Sequence, residues 1–532
     1  MASLNIGLST YHSIQGLFCR NKDEKLLSIE DHAHVIREIF HTSKQCYVGL
    51  ISCQPITSEH QALAFREWIE IFFLLNTSLC PELRGEPQHD IEAHNLAERI
   101  TKLFEDSIRN TAASDEWMVE GRHLFFRQVL SFILRNERLQ FGLPAFPCKS
   151  PNTRKVGGSY PDMAERIALE TLRTFTRDIQ TIYSPGATLW IISDGHVFAD
   201  CIGVNDDMVS IYDENLKQAY QSMFDSREDR EAIRFQGLND MLQLNGGSMH
   251  PFSHNWTENM DVSHPIETNR SKDAELSRKV MMAACGISKD HLRKLISAQD
   301  PAVLQLYRGQ SRFMLDDLAT PEFCVKSTKQ KKKIASAVAA EMIARNQAYS
   351  NLLELLLPNY IRLSIHAHSN RGPKFGIRLF PIHRVRAIDS VDNRHELVPA
   401  YEFQLPTPWH NCIIKVDGDK MLYLGKAEIA REAIANGEYQ GAWVDGPGGG
   451  HFALHSKRTE LLEYKTISES TTEIVEVPAN DLSKNRTTHS FHIWWFYPFV
   501  ASSIRFVHRI IRMLTGNGFS WEGSIKADVH VP

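Results

Sequence analysis

The most concentrated set of proton-transfer side chains in this sequence follows an apolar run at residues 189–192. That run has the composition of a strand buried on both faces, and it ends at Ser193. Asp194, His196 and Asp200 come next, and carboxylates beside an imidazole are groups that general acid–base catalysis uses. Ligands of open α/β sheets bind just beyond the carboxyl ends of such strands. The alternative is a helix cap, because Asp also accepts from the free N–H groups of a first turn.

A loop rich in proline and glycine, at residues 142–158, precedes that strand and contains basic and polar side chains. Lysines, small donors and glycines in one loop can surround a phosphate with N–H groups and positive charge. The order of residues is not that of a P-loop, so a solvated turn is the alternative. The donors of this loop include Arg154 and the four that we select as candidates, Lys149, Ser150, Asn152 and Lys155.

A third group consists of histidines. Residues 361–365 alternate polar and apolar side chains as a strand does, so His366 and His368 follow that strand on one face. His410 precedes another predicted strand, at residues 412–416. Three imidazoles could bind a metal with one open position. The motifs of facial-triad iron sites and of zinc hydrolases are missing from the sequence, so we predict no metal site.

Several basic residues have the chemistry to bind a carboxylate or a phosphate. Arg308 and Arg312 lie in residues 307–312, a segment that we predict to interrupt a helical region. A guanidinium can hold a carboxylate with two hydrogen bonds, although surface arginines near a helix end are the alternative. Lys374 and Arg378 follow a Gly-Pro turn after the strand at residues 361–365.

The elements that must position these side chains alternate between helical and strand patterns. Residues 1–140 are predicted to be mainly helical, from apolar spacings such as that of Phe65 and Ile69 and that of Phe125 and Val129. A helix is predicted from residue 161 to about 182, strands at 189–192 and 208–212, and helices again at 273–357. This alternation favours an α/β fold. We predict a helical region at 1–140, a catalytic core at 141–455 with a helical insertion at about 273–357, and a C-terminal extension at 456–532.

Composition limits the class of protein. The chain has 532 residues and a formal net charge of −5, which argues against a general nucleic-acid binder. Its nine cysteines are scattered singly, as in a reducing compartment, and we find no signal peptide or run long enough to span a bilayer. We therefore expect a cytoplasmic protein. The extension joins a polar linker to an aromatic, amphipathic end, which could touch a membrane surface or, as we prefer, dock on the main domain.

Three segments together resemble the isocyanide (isonitrile) synthases, a family related to the enzymes of dityrosine and pyoverdine biosynthesis. The segments are residues 149–155 with 161–165, residues 193–206, and residues 366–378 with 409–411. The resemblance is to a fungal-type member and covers roughly residues 30–455. His196 departs from the pattern, because bacterial members often carry Arg there, and no fixed role follows for this position.

The resemblance implies a Rossmann-like core sheet with helical additions, and a metal-independent lyase that needs no cofactor. The α-amine of an L-amino acid would condense with the ketone of ribulose 5-phosphate. Carbon–carbon cleavage would then leave one sugar carbon on the nitrogen as an isonitrile, a product of secondary metabolism that can chelate copper. The alternatives are a synthase that releases an N-formyl amino acid, since hydration of an isonitrile gives a formamide, and a non-catalytic phosphate-binding or scaffold protein.

The resemblance also implies roles for the residues named above. The loop donors Lys149, Ser150, Asn152 and Lys155 would hold the sugar phosphate. The proton-transfer groups would be Asp194, His196 and Asp200, with His366 and His410 orienting sugar hydroxyls or shuttling protons. Lys374 or Arg378 would pair with the amino-acid carboxylate, and Arg308 is a further candidate for substrate binding.

Overall fold

The computed structural model describes residues 14–21, 34–41, 46–52, 90–111, 115–242, 262–285, 289–318, 320, 323, 325–357, 360–366, 369–395, 406–446 and 448–457. Three predictions lie outside these residues: the helix containing Phe65 and Ile69, the position of His368, and the extension beyond residue 457.

The described strands form three sheets. They are β1 (Ile14–Asn21), β2 (His34–His41), β3 (Cys46–Ser52), β4 (Leu139–Pro144), β5 (Ala187–Ser193), β6 (Ile233–Gly237), β7 (Ile361–Ser364), β8 (Lys374–Gly376), β9 (Val385–Ala387), β10 (Cys412–Val416), β11 (Leu422–Gly425), β12 (Tyr439–Val444) and β13 (His451–Ser456).

The described helices lie mainly between the strands of the central sheet. They are α1 (Ile91–Ser107), α2 (Arg122–Leu134), α3 (Met163–Ile182), α4 (Gly195–Phe198), α5 (Asp206–Ser222), α6 (Arg227–Ala232), α7 (Leu238–Met241), α8 (Lys272–Cys285), α9 (Lys289–Ser297), α10 (Pro301–Asp317), α11 (Thr328–Leu356) and α12 (Ala427–Ala435).

A five-stranded parallel sheet, with the strand order β6-β5-β4-β7-β8, positions most of the candidate residues. Apolar side chains of β4 and β5 are buried in its core, and the predicted strand at residues 189–192 is confirmed as part of β5. Because all five strands run in one direction, the loops after β4, β5 and β7 emerge at the same edge. The predicted α/β class, with a parallel sheet and many helices, is confirmed.

A second five-stranded sheet, with the order β12-β13-β10-β11-β9, is mixed in direction. One face of β10 and β11 contributes Ile413 and Leu424 to the same apolar core as the parallel sheet. The other face packs Cys412 and Ile414 against α12 in a smaller core. The second sheet is therefore fixed to the first by shared packing.

The N-terminal region is only partly helical, so the prediction for residues 1–140 is wrong in part. Strands β1, β3 and β2 form an antiparallel sheet in that order. Their segments contain β-branched and aromatic residues, which favour strands, in runs too short to establish a helical period. Helices α1 and α2 do form as predicted, and Phe125 and Val129 of α2 are fully buried.

Two predicted breaks in helical structure are also wrong. Residues 208–212, predicted as a strand, belong to α5, where Val209, Tyr212 and Leu216 are buried at the three- and four-residue spacing of a helix. Residues 307–312, predicted as an interruption, lie inside α10. Each prediction was made from a short segment, whereas the helical period of α5 and of α10 extends over a longer stretch of the sequence.

The predicted helix at residues 161–182 is confirmed as α3, and a capping box begins it. Asp162 Oδ1 accepts from the Ala164 N–H at 2.8 Å, and Glu165 Oε2 accepts from the Asp162 N–H at 2.9 Å. The predicted helical region at 273–357 is confirmed as α8 to α11. Over the part of the chain that the structure describes, no helix has both the length and the apolar content to cross a membrane.

Candidate active site

The carboxyl end of β5 places Asp194 at the edge of the parallel sheet. Its backbone carbonyl accepts from the N–H groups of Val197 and Phe198 at 3.0 and 3.2 Å, which begins the short helix α4. Its side chain takes no part in that cap. The Oδ1 atom is buried and has no hydrogen-bond partner among the described residues. The capping alternative therefore accounts for the backbone of Asp194 and leaves its carboxyl group for other chemistry.

A second carboxyl group contacts the end of β5. Asp213 of α5 has its Oδ1 atom 3.2 Å from the hydroxyl of Ser193, the last residue of β5. Burial raises the pKa of Asp194 to about 7. Burial also raises the pKa of Asp213 to about 7, and the negative charge of Asp194 contributes to that rise. Carboxyl groups that titrate near neutral pH can act as general acids or bases under physiological conditions.

His196 is buried and lies among groups that hold α4 in place. Its Nε2 atom is 3.3 Å from the Asp206 carbonyl oxygen, and its own carbonyl accepts from Arg278 Nε at 2.7 Å. Burial lowers the pKa of the imidazole, so a neutral ring is favoured. These contacts fix His196 at the end of β5, and its role in proton transfer stays a prediction.

Asp200 lies in a closed ionic cluster, and its predicted role in proton transfer does not fit this setting. Both carboxylate oxygens accept from Arg345, at 2.6 and 2.9 Å, and His264 Nδ1 lies 2.7 Å from Oδ2. Arg278 Nε is 3.3 Å away. Although burial opposes ionisation, the bonds from His264 and Arg345 hold the pKa of Asp200 well below its usual range. A carboxylate that stays charged and fully bonded is a poor proton carrier.

The loop after β4 is not a set of free cations. Lys149 is buried, and its Nζ atom bonds Asp162 at 2.7 Å, Glu165 at 2.9 Å and the Pro408 carbonyl at 2.8 Å. An ammonium group has three N–H donors, and these three acceptors use them all. Lys149 therefore ties the start of α3 to the segment before β10, and a phosphate would have to displace one of its partners.

The rest of that loop meets the C-terminal end of α10. Ser150 Oγ donates to Asp317 Oδ1 at 2.8 Å, and Lys155 Nζ lies 3.0 Å from the same oxygen. Lys155 also contacts Asp316 at 3.2 Å, and Asn152 Nδ2 donates to the Asp316 carbonyl at 2.9 Å. Ser150, Asn152 and Lys155 thus lie together, but the carboxylates of α10 neutralise the positive charge expected to bind phosphate.

His410 completes this group. Its ring packs edge-on against Phe313 with centroids 5.2 Å apart, and its Nδ1 atom is 3.9 Å from Asp317 Oδ1. That nitrogen is buried and without a hydrogen-bond partner in the described part of the chain. Burial lowers the pKa of His410 to about 4, so the ring is neutral and its free nitrogen is available to a polar ligand.

Cys148 connects the two groups of residues. The thiol is buried after β4, burial raises its pKa, and the charges of Asp213, Asp194 and Asp317 raise it further. Carboxylates of both groups therefore act electrostatically on one buried thiol. The candidate active site is the region around Cys148, with Asp194 and Asp213 on one side and the Asp317 group with His410 on the other.

The remaining predicted residues have the following surroundings. His366 follows β7 and is exposed, and Arg308 is exposed on α10, nine residues before Asp317. Lys374 Nζ donates to Ser350 Oγ at 2.7 Å. The backbone N–H of Arg378 donates to the carbonyl of Ile108, just after α1, at 2.7 Å. Their roles in binding substrate stay predictions.

A separate groove of about 610 Å³ lies between α3 and the second sheet, and Asp194 and His410 do not line it. Glu170 and Arg384 form an ion pair of 2.6 Å there. With regard to metals, no group of three His, Cys, Asp or Glu side chains among the described residues has an arrangement that could hold an ion.

Sequence reasoning missed Asp213, Asp316 and Asp317. Asp213 directly follows residues 208–212, which were predicted as a strand, whereas it lies in the middle of α5, where its side chain can face back toward β5. The Asp-Asp pair at the end of α10 offered one signal, because carboxylates are unfavourable at a helix C-terminus and need partners elsewhere. The sequence could not show that the partners would be Ser150 and Lys155.

The chain is similar to known proteins in sequence and in fold. The family described as pyoverdine/dityrosine biosynthesis protein matches residues 129–437. The chain is 39% identical over 407 residues to the spore wall maturation protein DIT1 of Saccharomyces cerevisiae, which covers 75% of this chain and 74% of that protein. It is 30% identical over 302 residues to the L-tryptophan isonitrile synthase AmbI2 of Fischerella ambigua, covering 57% of this chain and 75% of the relative.

Two further comparisons concern Pseudomonas aeruginosa. An L-tyrosine isonitrile synthase of that organism is 29% identical over 302 residues, covering 57% of this chain and 77% of the relative. The crystal structure of the PvcA protein matches with a TM-score of 0.53 and 26% identity, over 67% of this chain and 99% of that one. The likeness therefore extends to the fold.

Proposed function

Because the chain belongs to the family of pyoverdine/dityrosine biosynthesis proteins, we propose that it is an isocyanide synthase. It converts the α-amine of an L-amino acid into an isonitrile and takes the carbon from ribulose 5-phosphate. Relatives named as isonitrile synthases of tryptophan and tyrosine support the reaction class. We propose further that the enzyme is a lyase that needs neither a metal nor a cofactor, and that it is cytoplasmic.

The free carboxyl group of Asp194 is the observation that carries this proposal. Condensation of an amine with a ketone loses water, and that step needs a group that gives a proton and takes one back. Asp194 combines a pKa of about 7 with a buried oxygen that no described residue occupies. It stands at the sheet edge where ligands of α/β proteins bind.

The other side of the site contributes neutral and ionic groups. His410 offers a nitrogen without a hydrogen-bond partner among the described residues, and this nitrogen could orient a sugar hydroxyl. Lys155 is buried beside Asp317 and lies 4.6 Å from the centre of the Phe313 ring. We assign Lys149, Ser150, Asn152 and Lys155 to the framework that shapes the site, and a sugar phosphate that binds them has to displace one of their present partners.

We also propose that the parallel sheet is Rossmann-like. Numbered along the chain within the sheet, its strands β4 to β8 take the order 3-2-1-4-5. This is the order of the first five strands in doubly wound dinucleotide-binding folds. In such sheets the crossovers leave the first strand in opposite directions, and the resulting crevice at the carboxyl ends receives the ligand.

Mass spectrometry tests the proposed reaction. The purified, chelator-treated chain is incubated with ribulose 5-phosphate and a mixture of L-amino acids. We expect a product one carbon heavier and two hydrogens lighter than one amino acid, and its identity names the substrate. Asp194→Asn is the matched inactive control. The formamide mass alone, from the earliest time points, would instead support the N-formyl synthase, and product that forms only after iron or zinc is added would overturn the metal-independent reaction.

A further inference from the structure

The groove between α3 and the second sheet, which we call the basic groove, joins an apolar floor to a positively charged rim. Its floor includes Ile167 of α3, Leu422 of β11 and Phe224 after α5. Four cations and one carboxylate line it, which leaves three positive charges in excess. These charged residues are Arg166, Glu170, Arg384, Lys415 and Lys420. An apolar surface with a polar rim is typical of a binding site.

The two lysines of the basic groove have no ion-pair partner among the described residues. The carboxylates nearest to them along the chain have other contacts: Asp417 lies 3.2 Å from a histidine of β13, and Asp419 lies 2.7 Å from Arg394. The one carboxylate of the groove is already in the ion pair with an arginine described above. The charges of Lys415 and Lys420 are therefore left for a ligand with negative charge.

The described chain leaves the second sheet at one end of the basic groove. Strand β13 runs parallel to β10, with Ala453 opposite Lys415. Further along, the Asp417 N–H donates to the Leu454 carbonyl at 2.8 Å. The end of β13 thus lies beside the turn between β10 and β11, which borders the groove. Because an extended chain advances about 3.3 Å per residue, the residues after 457 are within reach of the groove.

The residues that follow have the complementary composition. Residues 458–476, which we call the acidic segment, contain five glutamates against one arginine and one lysine. The excess of three negative charges equals the positive excess of the basic groove. The apolar side chains of the same segment suit the apolar floor, and they are Leu461, Leu462, Ile467, Ile474 and Val475. The segment therefore matches the groove in charge and in hydrophobic character.

We propose that the acidic segment binds in the basic groove of its own chain. A segment tethered beside its binding site has a high effective concentration there, so partly exposed ion pairs and apolar contacts of ordinary strength are enough to hold it. Binding fixes the beginning of the C-terminal extension against α3 and β10. The docking site is separate from the candidate active site, because Asp194 and His410 do not line the groove.

Carbodiimide cross-linking of the full chain, read by peptide mass spectrometry, tests the contact directly. This reagent joins a lysine amine to a carboxylate that touches it. We expect the glutamates of the acidic segment to cross-link to Lys415 or Lys420 much more often than to Lys332, an exposed lysine of α11 that does not line the groove. Equal cross-linking to all three lysines would exclude docking in the groove.

An equal mixture of unlabelled and nitrogen-15-labelled chains shows whose segment is bound. Cross-links within one chain support the proposal. Cross-links that join a labelled to an unlabelled chain would mean that a second copy supplies the segment, and the proposal for the same chain would be wrong.

Proteolysis provides a second readout that needs no cross-linker. Glutamyl endopeptidase cleaves after glutamate, and a bound segment is protected from it. We expect cleavage within residues 458–476 to be at least about threefold faster when Lys415→Gln and Lys420→Gln are combined, since two ion pairs are lost. The matched control combines Lys332→Gln with Lys333→Gln, which changes the net charge equally on an exposed face of α11.

The control variant should be cleaved at the wild-type rate. An unchanged rate in the groove variant, or the same increase in both variants, would overturn the proposal. A thermal melt shows whether each variant is folded. Lys420→Gln alone, at an exposed position, is the second variant if the double variant is not folded, and it should also accelerate cleavage.

Discussion

Polar side chains of the same type differ in this protein in whether their atoms already have hydrogen-bond partners. Asp194 and Asp200 are only six positions apart, and both were candidates for proton transfer. Asp200 is held by Arg345 and His264, whereas the Oδ1 atom of Asp194 has no partner among the described residues. The same residue type therefore serves stability at one position and is available for chemistry at the other.

The first prediction concerns Asp194→Asn. The folded state raises the pKa of Asp194 from its usual value near 4 to about 7. An acid with a raised pKa stabilises the fold while it is protonated, and that contribution is lost as the pH rises from about 4 to about 7. At pH 8 we expect the unfolding free energy of Asp194→Asn to be roughly 1–2 kcal/mol higher than that of the wild type, a range that allows for partial exposure of Asp194.

Urea unfolding at pH 5 and pH 8 checks this expectation. The gain should be smaller at pH 5 than at pH 8, while isonitrile formation falls at least about 100-fold, the contribution typical of a general acid. A variant that is less stable than wild type at pH 8 would contradict a free, buried carboxyl group at this position.

The second prediction compares Asp317→Asn with Asp316→Asn. Asp317 is 1% exposed and accepts from Ser150 and Lys155, whereas Asp316 is 41% exposed. Removing the buried charge leaves the Lys155 ammonium without its nearest carboxylate, which should cost about 1–3 kcal/mol and lower kcat about tenfold or more. Asp316→Asn should change the unfolding free energy by less than about 1 kcal/mol. Equal effects in thermal melts and turnover assays would contradict this assignment.

Helices and loops are joined here by ionic contacts that their own sequences do not indicate. Arg345 of α11 and Arg278 of α8 both reach Asp200, directly after α4. The helical insertion is thus fixed to the end of β5 through one carboxylate. At the other side of the site, α10 contributes Asp316 and Asp317 to the loop after β4. The insertion therefore supports the site from two directions.

The third prediction is a pH effect at this junction. His264 Nδ1 lies 2.7 Å from Asp200, its Nε2 atom lies 3.2 Å from Glu275, and these hydrogen bonds raise the pKa of the imidazole. A raised histidine pKa stabilises the fold below about pH 6.5, and the contribution is lost as the pH rises through the folded-state value. His264→Gln should therefore cost about 1 kcal/mol at pH 6 and less at pH 9.

His455→Gln is the matched control for His264→Gln. This histidine is 64% exposed and lies 3.2 Å from Asp417, which is 73% exposed. Solvent screens such a contact, so chemical denaturation should show almost no change at either pH. An equal loss of unfolding free energy in both variants would mean that the buried cluster around Asp200 contributes no more to stability than the exposed pair does.

The fourth prediction tests the contact between a glycine loop and α3. Gly449 has a φ of +92°, and a Cβ atom there would lie 2.5 Å from the Met163 nitrogen. Gly449→Ala should therefore destabilise the protein by at least about 1–2 kcal/mol and displace the start of α3. Gly446→Ala, where a Cβ atom would have open space, is the control. Thermal melts should separate the two variants, and similar melting temperatures would contradict the close approach.

In the whole molecule the two five-stranded sheets share one core. Ile413 of β10 and Leu424 of β11 belong to the same apolar cluster as Leu189 of β5. Lys149 and Lys155 add buried ionic contacts between segments far apart in the chain. The candidate site lies where these contacts meet, so its geometry depends on both sheets.

The fifth prediction is that β5 and β10 open together. Shared packing makes separate opening of either strand costly, since it would expose apolar surface of both. Native-state hydrogen exchange should give amides of residues 189–192 and 412–416 the same opening free energy within about 1 kcal/mol. A markedly lower value for β10 would mean that the second sheet unfolds independently.

Local sequence determined the elements with strong, uninterrupted signals. The apolar run of β5, the capping box of α3 and the helices of residues 273–357 follow from periodicity and cap chemistry, which act over a few neighbouring residues. The segment resemblance pointed to the family in the same way, because motifs are local. The sequence also placed Asp194 at a strand end, where ligands bind.

Tertiary structure alone decided which of these side chains are free. The distances from Lys149 to Pro408 and from Asp200 to Arg345 join residues separated by 259 and 145 positions. A side chain's charge, pKa and availability depend on such distant partners, and no local pattern encodes them. For the same reason, no local pattern identifies Asp213 and Asp317. They reach the candidate site because α5 and α10 pack near the ends of β5 and β4.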